Sequence, residues 1–234
     1  MEDLRKYITK FSERVKREIL TDNPEKFNQF CISYLSKMVH DRSNGKSEFQ
    51  ISEGMESTYL QVFRYLNNDY ELENESKHVT IKPWDLNKGL FFIGNFGRGK
   101  TLLLNFIFEN RSRFKISGKE CTAFDLSIAY VKDLNTFNDL VSAKYSLFLD
   151  EIGDEPKETL NFGNAENVAY RAMKLFFDKI ERQSEESAGN RFFGTSNLGQ
   201  KELIERYDER IWSRIVGNCN IIVFGSGLND FRKV

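Results

Sequence analysis

The run Gly94-Asn95-Phe96-Gly97-Arg98-Gly99-Lys100-Thr101 matches the pattern G-x-x-x-x-G-K-[ST] at every fixed position. Glycines let successive backbone N–H groups turn inward and cradle phosphate oxygens. A lysine at position 100 reaches the β- and γ-phosphates as a point charge, and the hydroxyl of Thr101 is placed to ligate Mg²⁺. The flanks agree. Gly89 to Ile93 is a short apolar run that reads as a buried strand, and the run from Thr101 to Phe108 reads as a helix with its N-terminus at the phosphates. The expected nucleotide contacts are therefore Gly94, Asn95, Phe96, Gly97, Arg98, Gly99, Lys100, Thr101 and Leu102, with ATP and Mg²⁺ as the bound species.

Leu147-Phe148-Leu149-Asp150-Glu151 is an apolar strand that ends in two carboxylates. At the C-terminal edge of a sheet, Asp150 is placed to hold the Mg²⁺ shell and Glu151 to polarise a water for attack on the γ-phosphate. The plainer reading is a strand running into an acidic loop, because Asp154 and Glu155 follow.

Two further stretches carry polar groups toward the same edge. Thr195-Ser196-Asn197 ends another apolar run. A side chain there can sense the γ-phosphate, with Asn197 favoured over Ser196, or it can simply cap the following helix, Leu198 to Tyr207. Arg210 and Arg214 lie four apart and share a helix face. Either one serves as a finger on the phosphate of a neighbouring subunit, since arginine gives planar bidentate recognition, or both sit on a solvated basic helix end. Arg111, Arg113, Lys115 and Lys119 surround Phe114, a pattern that suits single-stranded DNA by backbone charge and base stacking and equally suits a solvated loop.

The elements that must position these residues read as alternating strands and helices from His78 onward. Strands are expected at Leu90–Ile93, Glu120–Phe124, Tyr145–Leu149, Arg191–Thr195 and Asn220–Phe224. Helices are expected near Leu126–Leu140 and Ala165–Arg182. Such alternation implies an α/β fold, a parallel sheet of five strands between helices. Residues 1–77 read differently, as a small helical N-terminal segment. Leu4, Tyr7, Ile8, Phe11, Val15 and Ile19 fall on one helix face. Asn23 and Pro24 are a cap and first turn for a second helix through Val39, and a third is expected from about Met55 to Leu66. Asn67 to Ser76 is polar and acidic, as in a linker or exposed turn. The organisation expected is thus 1–77, either core padding or a docking module for a protein partner, followed by 78–234 as the catalytic core.

Composition sets the bounds. The 234 residues are 40% hydrophobic and 29% charged, as in a globular protein. The net charge of -1 gives no overall basic field, so any nucleic-acid contact must come from a local patch. Cys31, Cys121 and Cys219 are far apart and form no C-x-x-C pair. With no signal-peptide pattern and no membrane-length apolar run, a cytoplasmic location is expected.

The order of phosphate loop, Asp150-Glu151, Thr195-Ser196-Asn197 and Glu209-Arg210-x-x-x-Arg214 resembles that of AAA+ ATPases. Within them it is most similar to the DnaC/DnaI-type helicase loaders and the IstB-type transposition helpers. The subgroup is suggested by Asp150-Glu151-Ile152-Gly153 followed by Glu155, the Phe162-Gly163 step, Arg182 at the end of the long helix, and Gly194 to Leu198. The resemblance covers roughly Trp84 to Arg232. It implies a P-loop NTPase (AAA+) core that hydrolyses ATP with Mg²⁺. It also implies Lys100 and Thr101 at phosphate and metal, Asp150 and Glu151 at metal and water, Asn197 as sensor, Arg214 as finger and Arg232 as second sensor. The implied partners are a replicative helicase, or a transposase, and further copies of the chain in a homo-oligomer. Two departures stand out: Phe96 occupies a position where such loops usually carry Pro, and no C-terminal helical lid follows the fifth strand. Loaders and transposition helpers share the second departure. A small-molecule kinase fits less well, given Glu151, the two arginines and no acceptor-binding lid. A nucleotide-dependent switch with little turnover remains the other alternative.

Overall fold

The computed structural model describes residues 17–51, 54–161, 164–182 and 189–225. The helix expected from Leu4, the Phe162-Gly163 step and Arg232 lie outside the described residues.

Five strands form one parallel sheet in the order β2-β3-β6-β1-β7. They are β1 (Gly89–Gly94), β2 (Gly118–Thr122), β3 (Ser146–Ile152), β6 (Phe192–Ser196) and β7 (Cys219–Phe224). A short antiparallel hairpin of β4 (Thr159–Asn161) and β5 (Asn164–Glu166) stands apart from it. β1 lies in the interior, paired with β6 on one side and β7 on the other. All six of its residues are buried, as expected for a parallel strand covered on both faces.

The strand alternation divides the apolar residues between two cores. Leu90, Phe92, Phe148 and Phe193 face one side, where they meet α1 (Pro24–Arg42), α2 (Glu56–Leu66) and α3 (Lys100–Glu109). On adjacent strands of that face the Phe148 and Phe193 rings stack at 4.4 Å. Phe91, Ile93, Leu147 and Leu149 face the other side, packed by α4 (Ala123–Lys132), α5 (Leu134–Leu140), α6 (Val168–Glu181), α7 (Gln200–Tyr207) and α8 (Glu209–Asn218).

α1 begins as its sequence dictates: the Asn23 side chain accepts from the N–H of Lys26, and Pro24 occupies the first turn. Its buried stripe of Phe27, Cys31, Leu35 and Met38 lies against α3. There Tyr34 and Phe106 meet at 5.8 Å, and Phe27 and Phe114 at 6.2 Å. The helical segment and the phosphate-loop helix therefore share one core.

Several boundaries differ from expectation, each for a local reason. Thr122 and Asp125 form a reciprocal capping box, so the second strand ends at Thr122 and a helix starts at Ala123. Asp133 caps a new helix by accepting from the N–H groups of Asn135 and Thr136, which splits the expected helix Leu126–Leu140 in two. Asn167 caps α6, and the residues before it pair in the hairpin. The stretch Asn67–Ser76 is no exposed linker. Asn67 and Asn68 are buried, Asn67 exchanges side-chain hydrogen bonds with the Thr21 backbone, and Leu72 is fully buried in a 3-10 turn, Tyr70–Asn74.

Candidate nucleotide-binding site

The loop after β1 fits only glycine where it turns. Gly94 has φ +136°, and a Cβ there would lie 2.1 Å from the Phe224 carbonyl oxygen of β7. Gly99, at φ +87°, turns the chain into α3. The N-terminus of α3 thus opens at the mouth of the sheet with its free N–H groups and positive dipole end available to an anion. Phe96 and Arg98 stand exposed at the loop tip, Phe96 with 73% of its surface accessible.

Lys100 is buried, and its Nζ donates to the carbonyls of Gly94 at 2.6 Å and Asn95 at 2.8 Å and to Asn197 Oδ1 at 2.8 Å. Desolvation pulls its pKa down, opposed by the nearby charges of Asp150 and Asp154. The ammonium therefore bridges the phosphate loop and the end of β6. Ser196, the alternative to Asn197, is fully buried; its hydroxyl donates to the Ile152 carbonyl and accepts from the N–H of Leu198. It holds the turn, whereas Asn197 faces the lysine.

Asp150 is buried at the end of β3, and its Oδ1 accepts from the Thr101 hydroxyl at 3.1 Å. These two hard oxygen donors suit Mg²⁺, which takes one or two protein oxygens and otherwise water and phosphate. The donor set fits the ion, and no group of three or more His, Cys, Asp or Glu among the described residues makes a separate metal cluster. Glu151 is exposed at the same cleft, which also includes Thr101, Thr195 and Asn197. Its carboxyl is raised above the ordinary glutamate range by desolvation, then by Asp150, Asp154 and Asp125. Glu120, exposed on β2, is raised by partial desolvation and then by Asp150. A carboxylate raised in this way is equipped to take a proton from water.

Arg210 and Arg214 both lie on α8. Arg214 is tied to α6 by an ion pair with Asp178 at 2.6 Å and a longer one with Glu181 at 4.0 Å. Arg210 is exposed. The basic patch departs from its DNA reading. Phe114 is 3% exposed, with its ring packed on Phe27 and Phe106, so it cannot stack a base. Arg113 lies over Phe30, Lys115 pairs with Glu18 and Lys119 with Asp139.

One contributor escaped the sequence reading. Thr195 is buried, donates to Asp150 Oδ1 and accepts from the Glu151 N–H; the signal was a hydroxyl inside an otherwise apolar strand. Glu155, which the sequence places in the acidic loop after Glu151, is also buried and is held by Arg206 and Tyr207.

No protein-family model matches the sequence, and no curated protein matches it. Solved structures do. A DnaA replication initiator bound to AMPPCP and single-stranded DNA aligns over 76% of this chain and 48% of its own, at 21% identity and a TM-score of 0.50. A DNA replication initiation factor aligns over 75% and 47%, at 19% identity and 0.50. The DnaC helicase loader aligns over 76% and 94%, at 18% identity and 0.49. The chain spans about half the length of the two initiation proteins it matches. With strand order β2-β3-β6-β1-β7 and the phosphate loop after β1, the fold is that of an AAA+ P-loop core.

Proposed function

We propose that this chain binds Mg-ATP in the cleft between the phosphate loop and the ends of β3 and β6, hydrolyses it, and acts as a helicase loader in DNA replication. The observation that carries the ATPase reading is that Lys100, Thr101, Glu151 and Asn197 reach one cleft from three separate strand ends, with Asp150 bonded to the Thr101 hydroxyl. In this reading the loop N–H groups and Lys100 hold the β- and γ-phosphates. Thr101 and Asp150 would hold Mg²⁺, which would supply positive charge against the phosphate oxygens. Glu151 orients a water and accepts its proton as the water oxygen bonds to the γ-phosphorus. The bond from that phosphorus to the β-γ bridging oxygen breaks, leaving ADP and inorganic phosphate. Asn197, held against Lys100, registers the γ-phosphate.

The loader role rests on the order of motifs that resembles the DnaC/DnaI-type proteins, and its partner would be a replicative helicase. Residues 1–77 would serve as the docking segment and 78–234 as the ATPase core; because α1 packs directly on α3, a partner on α1 would press on the helix that carries Lys100. Single-stranded DNA remains a candidate ligand through charge alone, Phe114 being buried. A switch with little turnover is favoured by one observation: Arg214 is held by Asp178 within its own chain, so an isolated protomer has no free finger from that position.

Lys100→Ala should abolish ATP binding by calorimetry while the circular dichroism spectrum stays that of the parent. Unchanged affinity in the folded variant would sink the nucleotide reading. Affinity capture from the native cell, scored for a replicative helicase against a transposase, separates loader from transposition helper.

A further inference from the structure

β3 and β6 pair in simple register from Leu147 against Phe192 to Leu149 against Gly194, and then the register slips so that Ile152 faces Ser196. Two residues of β3, Asp150 and Glu151, thus stand opposite one residue of β6, Thr195. This is a β-bulge, a device that bends one strand and re-aims its side chains. In a regular strand, neighbours point to opposite faces, and Asp150 and Glu151 could not both serve one cleft. The bulge removes that constraint. Glu151 takes φ +56°, a left-handed conformation that an L-residue holds only when its surroundings enforce it.

The enforcing contacts converge on Thr195. Its Oγ1 donates to Asp150 Oδ1 and accepts the Glu151 N–H at 3.0 Å, and that same N–H also lies 3.0 Å from Asp150 Oδ1. Thr195 is 1% exposed, so without the hydroxyl no water would readily replace it. Asp150 would still keep the Thr101 hydroxyl; the Glu151 peptide would lose its anchor on β6. Gly194, the preceding residue, has no room for a side chain, since a Cβ would lie 2.9 Å from the Phe192 ring and 3.0 Å from that of Phe91. The close strand packing beside the bulge therefore sets where the Thr195 hydroxyl stands.

We propose that Thr195 is a positioning residue: its hydroxyl fixes the bulge that turns Glu151 into the nucleotide cleft. The proposal rests on the reading of Glu151 as the group that orients water. Thr195→Val keeps the shape and removes the hydroxyl. It should bind ATP within about twofold of the parent and hydrolyse it about 10–100-fold more slowly, the usual cost of losing a supporting hydrogen bond behind an active group. Thr195→Ser, which keeps the hydroxyl, should restore most of the activity, and Thr195→Cys, similar in size but a poor hydrogen-bond partner, should not. If Thr195→Val fails to fold, the Ser and Cys pair carries the test.

A double-mutant cycle isolates the route of action. In a Glu151→Gln background the further change Thr195→Val should alter residual turnover by less than about twofold, because the two residues act as a unit. Multiplying losses would mean that Thr195 acts independently of Glu151 and would overturn the proposal, as would equal turnover of the Ser and Cys variants. A readout that needs no turnover is hydrogen exchange at the Glu151 amide, which should be faster in Thr195→Val than in Thr195→Ser; equal rates would also overturn it. A Glu151→Gln variant as active as the parent would instead remove the underlying reading of Glu151, and the amide exchange would still decide whether Thr195 holds the bulge.

Discussion

Nζ of Lys100 lies 2.8 Å from Oδ1 of Asn197, joining the first turn of α3 to the end of β6. The two are 97 positions apart in sequence, and in the proposed function their contact would make the lysine a shared element of phosphate binding and sensing. It also yields a charge test. Asn197→Asp would set a carboxylate where the amide oxygen stands, raising the Lys100 pKa toward its ordinary value and placing negative charge where the γ-phosphate must approach. ATP affinity should fall by about tenfold or more at low salt, with partial recovery at high salt as the repulsion is screened. Asn197→Ala should bind ATP more nearly like the parent and lose turnover instead. Equal affinities for the Asp and Ala variants would place Asn197 away from the phosphate.

Glu151→Gln keeps the shape and loses the base. ATP should still bind, while hydrolysis falls by roughly 10²–10⁴-fold, the range for a general base. The pH dependence has a definite sign. Burial and the neighbouring Asp150, Asp154 and Asp125 raise the Glu151 carboxyl above its ordinary 4.5, so lowering the pH protonates it early and hydrolysis should decline at a pH above 4.5. The same shift means that this group takes up its proton more readily folded than unfolded. Its contribution to stability therefore rises as the pH falls, and the acid loss of activity at this group is not unfolding. An acid limb unchanged in Glu151→Gln would assign that limb to another residue.

The sequence made the phosphate loop legible because that chemistry is local: glycines, a lysine and a hydroxyl within eight positions, between an apolar strand and a helix. The parallel sheet was legible for the same reason, through short apolar runs at regular intervals. What escaped it depends on long-range register. Thr195 reads as an ordinary strand residue until β6 is set against the bulge in β3. Phe114 reads as an exposed aromatic among cations until α1 covers it. The polar run Asn67–Ser76 reads as a linker because its amides find their partners at Thr21 and Glu18, about fifty positions away.

Arg206 offers a stability test. Its guanidinium lies 3.0 Å from Glu155 Oε1, and the side chains are 12% and 0% exposed. Glu155 also accepts from the Gly153 N–H at 2.9 Å and from the Tyr207 hydroxyl, so the pair fastens the loop after β3 to α7. Arg206→Ala would leave a buried carboxylate without its cation, at a cost of about 3–5 kcal/mol in urea unfolding. Glu155→Gln with Arg206→Met removes both charges and should lie much closer to the parent. If the single variant unfolds like the parent, the buried pair is not what holds this loop.

Arg214 sets the test of assembly. Asp178 and Glu181 hold its guanidinium against α6, and its Nη1 donates to the Lys174 carbonyl at 3.3 Å, whereas Arg210 one turn earlier is exposed. The proposed function, through the resemblance to AAA+ proteins, would put Arg214 at the γ-phosphate of a neighbouring subunit. In that role it must exchange its partners on α6 for phosphate oxygens. Arginine fingers in GTPases contribute about 10³–10⁵ in rate, and the exchange here should leave a smaller but still large effect. Arg214→Ala should bind ATP almost normally and hydrolyse it poorly. Mixed with Lys100→Ala, it should regain part of the activity, because Lys100→Ala subunits still offer Arg214 to intact phosphate loops on the other subunits. The recovery should vanish on dilution below the concentration at which oligomers form. Asp178→Asn weakens the intrachain pair and should raise turnover wherever the parent assembles. Full activity of Arg214→Ala, or no recovery in the mixture at concentrations where oligomers are present, would leave the Arg214–Asp178 pair as a structural brace between α6 and α8 and make Arg210→Ala the next variant to measure.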